Sequence, residues 1–236
     1  MTEPLHFTGL RGTLRLGEPL ARYTSWRVGG PADRFYVPSD LDDLSNFLRQ
    51  LPAGEPVCFV GLGSNLLVRD AGLRGTVVLT HAAGKRPALV PTPAGPRVYA
   101  EAGVASPKVA RFAAMHDLAG AEFLSAIPGS VGGALAMNAG CYGGETWDIV
   151  SRVATVERSG TLHVRGKGDF EIGYRHCVLH GASLGEDEWF AAAWFELPAG
   201  DGVVARACIT ELLAQRVVEC VSLCRHGGDD PSPEKR

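Results

Sequence analysis

The 236-residue chain carries 23 Lys and Arg against 26 Asp and Glu, a formal net charge of −3, with 45% hydrophobic and 21% charged residues. That balance excludes a disordered chain and lacks the basic footprint of a general nucleic-acid binder, and the length suits one large domain or two small ones. No run approaches the ~20 apolar residues of a membrane span, and Met1–Leu10 has no basic-then-apolar leader, so a cytosolic protein is expected.

Residues 1–19 read as a polar, loosely held lead. Arg34–Val37 reads as a short strand ended by Pro38. Ser39, followed three residues on by Asp42, is a capping-box signal, and Leu41, Leu44, Phe47, Leu48 and Leu51 then recur at helical spacing until Pro52. Val57–Val60 and Thr76–Leu79 read as buried strands, completing a βαβ-like unit over residues 20–82. The Pro- and Gly-bearing stretch His81–Pro96 reads as a boundary or surface excursion. Val98–Ala100 is strand-like, and Ser106-Pro107 opens a helix carrying Val109, Ala110, Ala113 and Ala114. Gly120–Gly144 has no clean period. Val153–Glu157 and Thr161–Val164 read as a hairpin around Ser159-Gly160, and Phe190–Leu197 as a further strand within residues 83–200. In residues 201–236, positions Ala205, Ile209, Leu212, Leu213, Val217, Cys220, Val221 and Cys224 form an apolar helical face, followed by a polar tail after Arg225. Strands outnumber helices without strict alternation, so the fold class is α+β.

Thirty glycines, roughly 13% of the chain, are nearly twice the usual share. They cluster without a fixed period, which suits either tight turns or close backbone approach to a ligand. Six cysteines occur without a secretory context, so they are expected to be reduced. Cys220, Cys224 and His226 lack a fourth ligand, and no metal site is expected.

Three segments carry chemistry. Phe59-Val60-Gly61-Leu62-Gly63-Ser64-Asn65-Leu66-Leu67 runs from a strand into a Gly-rich turn able to aim N–H groups at a pyrophosphate. Leu66 stands where a dinucleotide fingerprint needs its third glycine, and no Gly-Lys-Ser/Thr follows, so neither a Rossmann unit nor a Walker loop is expected. Ala126-Ile127-Pro128-Gly129-Ser130-Val131-Gly132-Gly133-Ala134 and Met137-Asn138-Ala139-Gly140-Cys141-Tyr142 make a second small-residue wall for an extended cofactor, with Asn138 offering amide donors and an acceptor. A serine hydrolase built on Ser130, His176 and Asp148 fails because Pro128 occupies a glycine position of the nucleophile elbow. In Gly173-Tyr174-Arg175-His176 the pair Tyr174-Arg175 reads either as a surface salt bridge or as a carboxylate clamp with Arg175 as its fork.

Together with Tyr23-Thr24-Ser25-Trp26-Arg27-Val28-Gly29-Gly30-Pro31-Ala32, these segments, in this order and spacing, resemble the UDP-N-acetylenolpyruvoylglucosamine reductase family of bacterial peptidoglycan synthesis, from about Pro19 to Leu197. The resemblance implies two α+β subdomains sandwiching non-covalent FAD, in the vanillyl-alcohol-oxidase type of flavin fold. It implies that NADPH reduces the flavin, that hydride then passes to the enolpyruvyl β-carbon of a UDP-sugar, and that a proton is added at the α-carbon. By motif match, Gly61, Gly63, Ser64, Asn65 and Leu66 line the pyrophosphate. Pro128, Gly129, Ser130, Gly132, Gly133, Asn138 and Gly140 line the rest of the FAD. Arg175 is the catalytic residue that holds the substrate carboxylate, beside Tyr174. No membrane or nucleic-acid partner is implied.

The family continues into a third, substrate-covering domain with a serine proton donor and a late glutamate, and neither segment is matched before Arg236. Ser222 and Glu219 stand in other contexts. The expectation is therefore either the reductase in shortened form or an FAD-binding module without complete catalysis.

Overall fold

The computed structural model describes residues 6–81, 85–93 and 95–225, with the side chains of the last helix described through Arg216. Strand β1 (Thr13–Pro19) lies in the segment expected to be loose, and pairs antiparallel with β2 (Pro31–Val37) from Thr13↔Val37 to Pro19↔Pro31. Only Glu18 of β1 is buried, so this edge strand carries no apolar alternation and is held by backbone pairing. Helix α1 (Leu41–Arg49) buries Leu44, Phe47 and Leu48. Its cap is Asp40, one residue beyond the expected Ser39; Ser39 instead donates its N–H to Asp43 at 2.9 Å. Asp43 also accepts from the Tyr36 hydroxyl at 2.6 Å and the Arg11 N–H at 2.8 Å, which fixes the helix entry against β2.

β3 (Val57–Val60) and β4 (Leu73–Leu79) follow, both running parallel to β2, in a sheet of order β1-β2-β4-β3. Successive residues face opposite sides: Phe35 and Val77 pack with Leu20 and Val60, whereas Tyr36 and Val78 pack under α1. That second cluster also contains Val156, Trp189 and Ala192, so α1 and its side of the sheet press on the rest of the molecule.

β5 (Ala88–Val90), within the expected excursion, pairs with β6 (Arg97–Glu101). Next come α2 (Ser106–Met115), with Pro107 in its first turn, and a 3-10 turn over Glu122–Ala126. The aperiodic Gly/Ala stretch holds α3 (Val131–Ala136), β7 (Gly140–Cys141) and β8 (Gly144–Glu145), leading into α4 (Thr146–Ile149). β9 (Val150–Glu157) and β10 (Leu162–Gly166) form the expected hairpin. β11 (Phe170–Gly173) and β12 (His176–Leu179) form a second hairpin whose turn is Tyr174-Arg175. β13 (Glu188–Phe195) completes an antiparallel sheet of order β10-β9-β13-β6-β5. Its core, with Val98, Val109, Leu124, Leu135, Trp147 and Phe195, lies beneath α2 and α3.

α5 (Gly202–Arg225) packs through Ala205, Ile209 and Leu213. Arg206 and Arg216 on it donate to the carbonyls of Ala114 and Ala126, carbonyls left open where α2 and the 3-10 turn end. The tail after Arg225, and the side chains of Val217, Glu219, Cys220, Val221, Ser222 and Cys224, lie outside the described residues. Among the described residues Cys58, Cys177 and Cys208 form no disulfide, no group of His, Cys, Asp and Glu is placed to hold a metal, and no helix is long and apolar enough to cross a membrane.

Candidate functional site

Between the two sheets lies a cleft of about 1130 Å³, at or above the upper end of ordinary ligand pockets. The turn after β3 forms one side, with Gly61, Gly63, Ser64, Asn65 and Leu66 on the cleft. Gly63 has φ +63, and a Cβ there would collide with the Tyr23 carbonyl oxygen; Ser25 donates its N–H to the Gly63 carbonyl at 3.0 Å. The Tyr23–Val28 loop thus packs onto the back of the turn. Among the described residues no carbonyl accepts from the N–H groups of Leu62, Gly63, Ser64 or Asn65. Such a row of open donors is an anion cradle.

Pro128, Gly129, Ser130, Gly132 and Gly133 form the facing side. Two bonds pin it to the second sheet: Val131 N–H to Val104 carbonyl and Gly132 N–H to Ala102 carbonyl, both 2.8 Å. A Cβ at Gly132 would press on Ala102, and one at Gly61 on the Ser130 side chain, so those glycines serve packing within the protein. Gly133 differs: it is exposed, and its nearest obstacle is Ser130 Oγ at 3.9 Å. The two walls meet where Ser64 Oγ donates to the Pro128 carbonyl at 2.7 Å. A serine hydroxyl has one proton, so Ser64 in this arrangement gives a phosphate no hydroxyl donor.

Asn138, Gly140, Tyr174 and Arg175 close the end of the cleft. Asn138 is buried with φ +37, a conformation asparagine tolerates better than most residues. Its side chain does not offer the free amide expected from the sequence. Nδ2 donates to Glu145 Oε2 at 2.8 Å and to the Gly173 carbonyl at 3.2 Å, and Oδ1 accepts from the Trp147 N–H at 3.1 Å. Arg175, φ +51, is exposed at the hairpin tip with its guanidinium carbon 5.8 Å from the Tyr174 ring. No carboxylate among the described residues pairs with it, so the surface-salt-bridge reading falls.

Several lining residues were not legible in the sequence. Phe59 of β3 stacks on Trp189 of β13 at 4.8 Å, joining the sheets beside the cleft. Glu188 is buried there; burial raises its carboxyl, but hydrogen bonds from Arg165 and Thr155 outweigh this and hold it below the usual carboxylate range. Burial pushes the Cys177 thiol up to about 11 and also raises Cys58, so both are held as thiols rather than thiolates. No periodicity marks such positions, because two chain-distant strands create them.

A family model described as an FAD binding domain matches residues 32–165. The chain belongs to the FAD-binding-domain family. It is also 53% identical over 229 residues to the UDP-N-acetylenolpyruvoylglucosamine reductase of Nitrosospira multiformis, covering 90% of this chain and 66% of the relative. It is 56% identical over 207 residues to the enzyme of that name from Methylococcus capsulatus, covering 87% and 65%. The chain therefore spans just under two thirds of the length of the curated relatives it matches. Among solved structures, the UDP-N-acetylenolpyruvylglucosamine reductase of Thermus caldophilus superposes with a TM-score of 0.69 at 27% identity, covering 88% of this chain and 70% of that one. The 6-hydroxy-D-nicotine oxidase of Arthrobacter nicotinovorans, with a TM-score of 0.56 and 17% identity over 84% and 44%, shares the fold. The resemblance read from the motifs thus holds over most of the chain, and the fold is the α+β, vanillyl-alcohol-oxidase-type FAD fold.

The residues present fit FAD. The cleft volume of about 1130 Å³ suits a dinucleotide, the open N–H row suits its pyrophosphate, and the exposed Gly133 leaves room beside it.

Proposed function

We propose that the chain binds FAD non-covalently in this cleft and acts in the NADPH-dependent reduction of UDP-N-acetylenolpyruvoylglucosamine to UDP-N-acetylmuramate. Bound FAD supplies the carrier that accepts hydride from NADPH and delivers it to the enolpyruvyl β-carbon. The turn Gly61–Leu66 binds the cofactor through backbone donors, and the Pro128–Gly133 wall flanks it with small residues. Arg175 takes the substrate carboxylate in its planar fork and stabilises the negative charge that builds there as hydride adds. Tyr174 flanks the same group at the mouth.

The observation that carries this reading is a guanidinium with no carboxylate partner among the described residues, on the same cleft as the open N–H row. Anaerobic stopped-flow tests it, scoring flavin reduction by NADPH and reoxidation by the enolpyruvyl UDP-sugar separately. The expected result is FAD uptake by the apoprotein, bleaching by NADPH, and colour return only with the sugar. A protein that takes up no FAD, or whose reduced flavin ignores the sugar, refutes it.

A further inference from the structure

We infer that Asn138 is the positioning residue for Arg175, acting through the base of the β11–β12 hairpin. The inference rests on the proposed role of Arg175 and adds to it. Gly173 and His176 are paired across that hairpin, so Tyr174 and Arg175 form a two-residue turn with Arg175 in the left-handed region. Hairpin direction is set at its base. There the Gly173 carbonyl accepts from Asn138 Nδ2 at 3.2 Å, across 35 residues of chain. Asn138 is itself fixed on two further sides, by Glu145 Oε2 at 2.8 Å and the Trp147 N–H at 3.1 Å. Glu145 in turn caps α4, whose Asp148 carboxylate accepts from the Glu145 N–H at 3.1 Å. An exposed arginine on a short turn is otherwise free to swing. One buried amide ties its turn to α4 and the wall beneath. The amide's donors and its acceptor are all engaged within the protein, so a change at Asn138 reaches Gly173 through this bond.

Asn138→Gly is the informative variant, because glycine keeps the positive φ while removing the amide. Thr146→Val is its control: it removes the Thr146 Oγ1 bond to the Ala139 carbonyl, 2.6 Å, in the same wall without touching Gly173. Two readouts are needed. The first is amide hydrogen exchange at Tyr174, Arg175 and His176 in the FAD-loaded protein. The second is the Kd of the enolpyruvyl UDP-sugar, read from the absorbance change of oxidised bound FAD.

Asn138→Gly is expected to speed exchange at the hairpin and to weaken the sugar by up to about 10²-fold, the cost of a 1 Å misplacement. The loss of sugar affinity should exceed any loss of FAD affinity, and Thr146→Val should neither speed exchange nor weaken the sugar. In an Arg175→Ala background the Asn138 substitution should add no further loss, since both act through one group. Unchanged hairpin exchange, equal loosening by Thr146→Val, or fully additive losses would each overturn the inference. If Arg175→Ala alone leaves the sugar Kd unchanged, the proposed role of Arg175 fails. The exchange measurement then still decides whether Asn138 holds the hairpin.

Discussion

Ser64 Oγ donates to the Pro128 carbonyl at 2.7 Å, closing one glycine-rich turn onto another 64 residues along the chain. The bond sets the spacing of the two cleft walls before any ligand enters. Ser64→Ala should therefore lower the stability of the apoprotein by about 1 kcal/mol, the net worth of one hydrogen bond, and weaken FAD by up to roughly tenfold. Denaturant midpoints of the apoprotein and an FAD titration check this. A variant with unchanged apoprotein stability but weaker FAD would instead make Ser64 a ligand of the cofactor.

The glycines separate by what a Cβ meets. Gly63→Ala puts a side chain at φ +63 against the Tyr23 carbonyl and should destabilise the fold by about 2 kcal/mol or more, with FAD loss following from unfolding. Gly133→Ala should leave the fold intact, because its Cβ meets only Ser130 Oγ, at an ordinary contact distance of 3.9 Å. Its larger relative Gly133→Val should exclude FAD from a folded protein. Circular dichroism melts beside FAD titrations distinguish the two patterns, and equal behaviour of both positions would contradict the assignment.

Arg175→Lys keeps the charge and loses the planar fork. In turnover it should slow flavin reoxidation by the enolpyruvyl sugar by about 10²–10³-fold, as for one preorganised donor lost, and spare reduction by NADPH. Stopped-flow of the two half-reactions measures both, and equal slowing would assign Arg175 to the cofactor.

Acid should act on the buried Glu188, which Arg165 grips through Nε at 2.6 Å and Nη2 at 2.7 Å. Because the folded carboxyl is depressed below its unfolded value, its stabilisation is complete above the ordinary glutamate range. It is lost as pH falls from there through the folded value. Wild type should exceed Glu188→Gln in urea midpoint near neutrality, and the gap should narrow as pH drops below about 4.3, the unperturbed glutamate pKa. A gap that widens in acid would reverse the sign and refute the argument.

The sequence alone marked the cleft walls because their small residues cluster along the chain. Gly61, Gly63, Pro128, Gly129 and Gly132 stand out in that way, although what a Cβ would meet at Gly61, Gly63 and Gly132 lies far along the chain, and α1 and the β9–β10 hairpin announce themselves by periodicity and turn residues. The family likeness rested on the same local segments. β1 was illegible, since an edge strand with only Glu18 buried leaves no alternation to read. So was the β11–β12 hairpin, whose turn looks like a polar pair until Gly173 and His176 are seen opposite each other. Only the tertiary structure decided that the amide of Asn138 is engaged by Glu145, Gly173 and Trp147, that Arg175 has no carboxylate partner among the described residues, and that Ser64 reaches Pro128. These are long-range pairings: each needs two surfaces brought together by packed cores, and no local pattern of side chains encodes which buried donor will find which carbonyl.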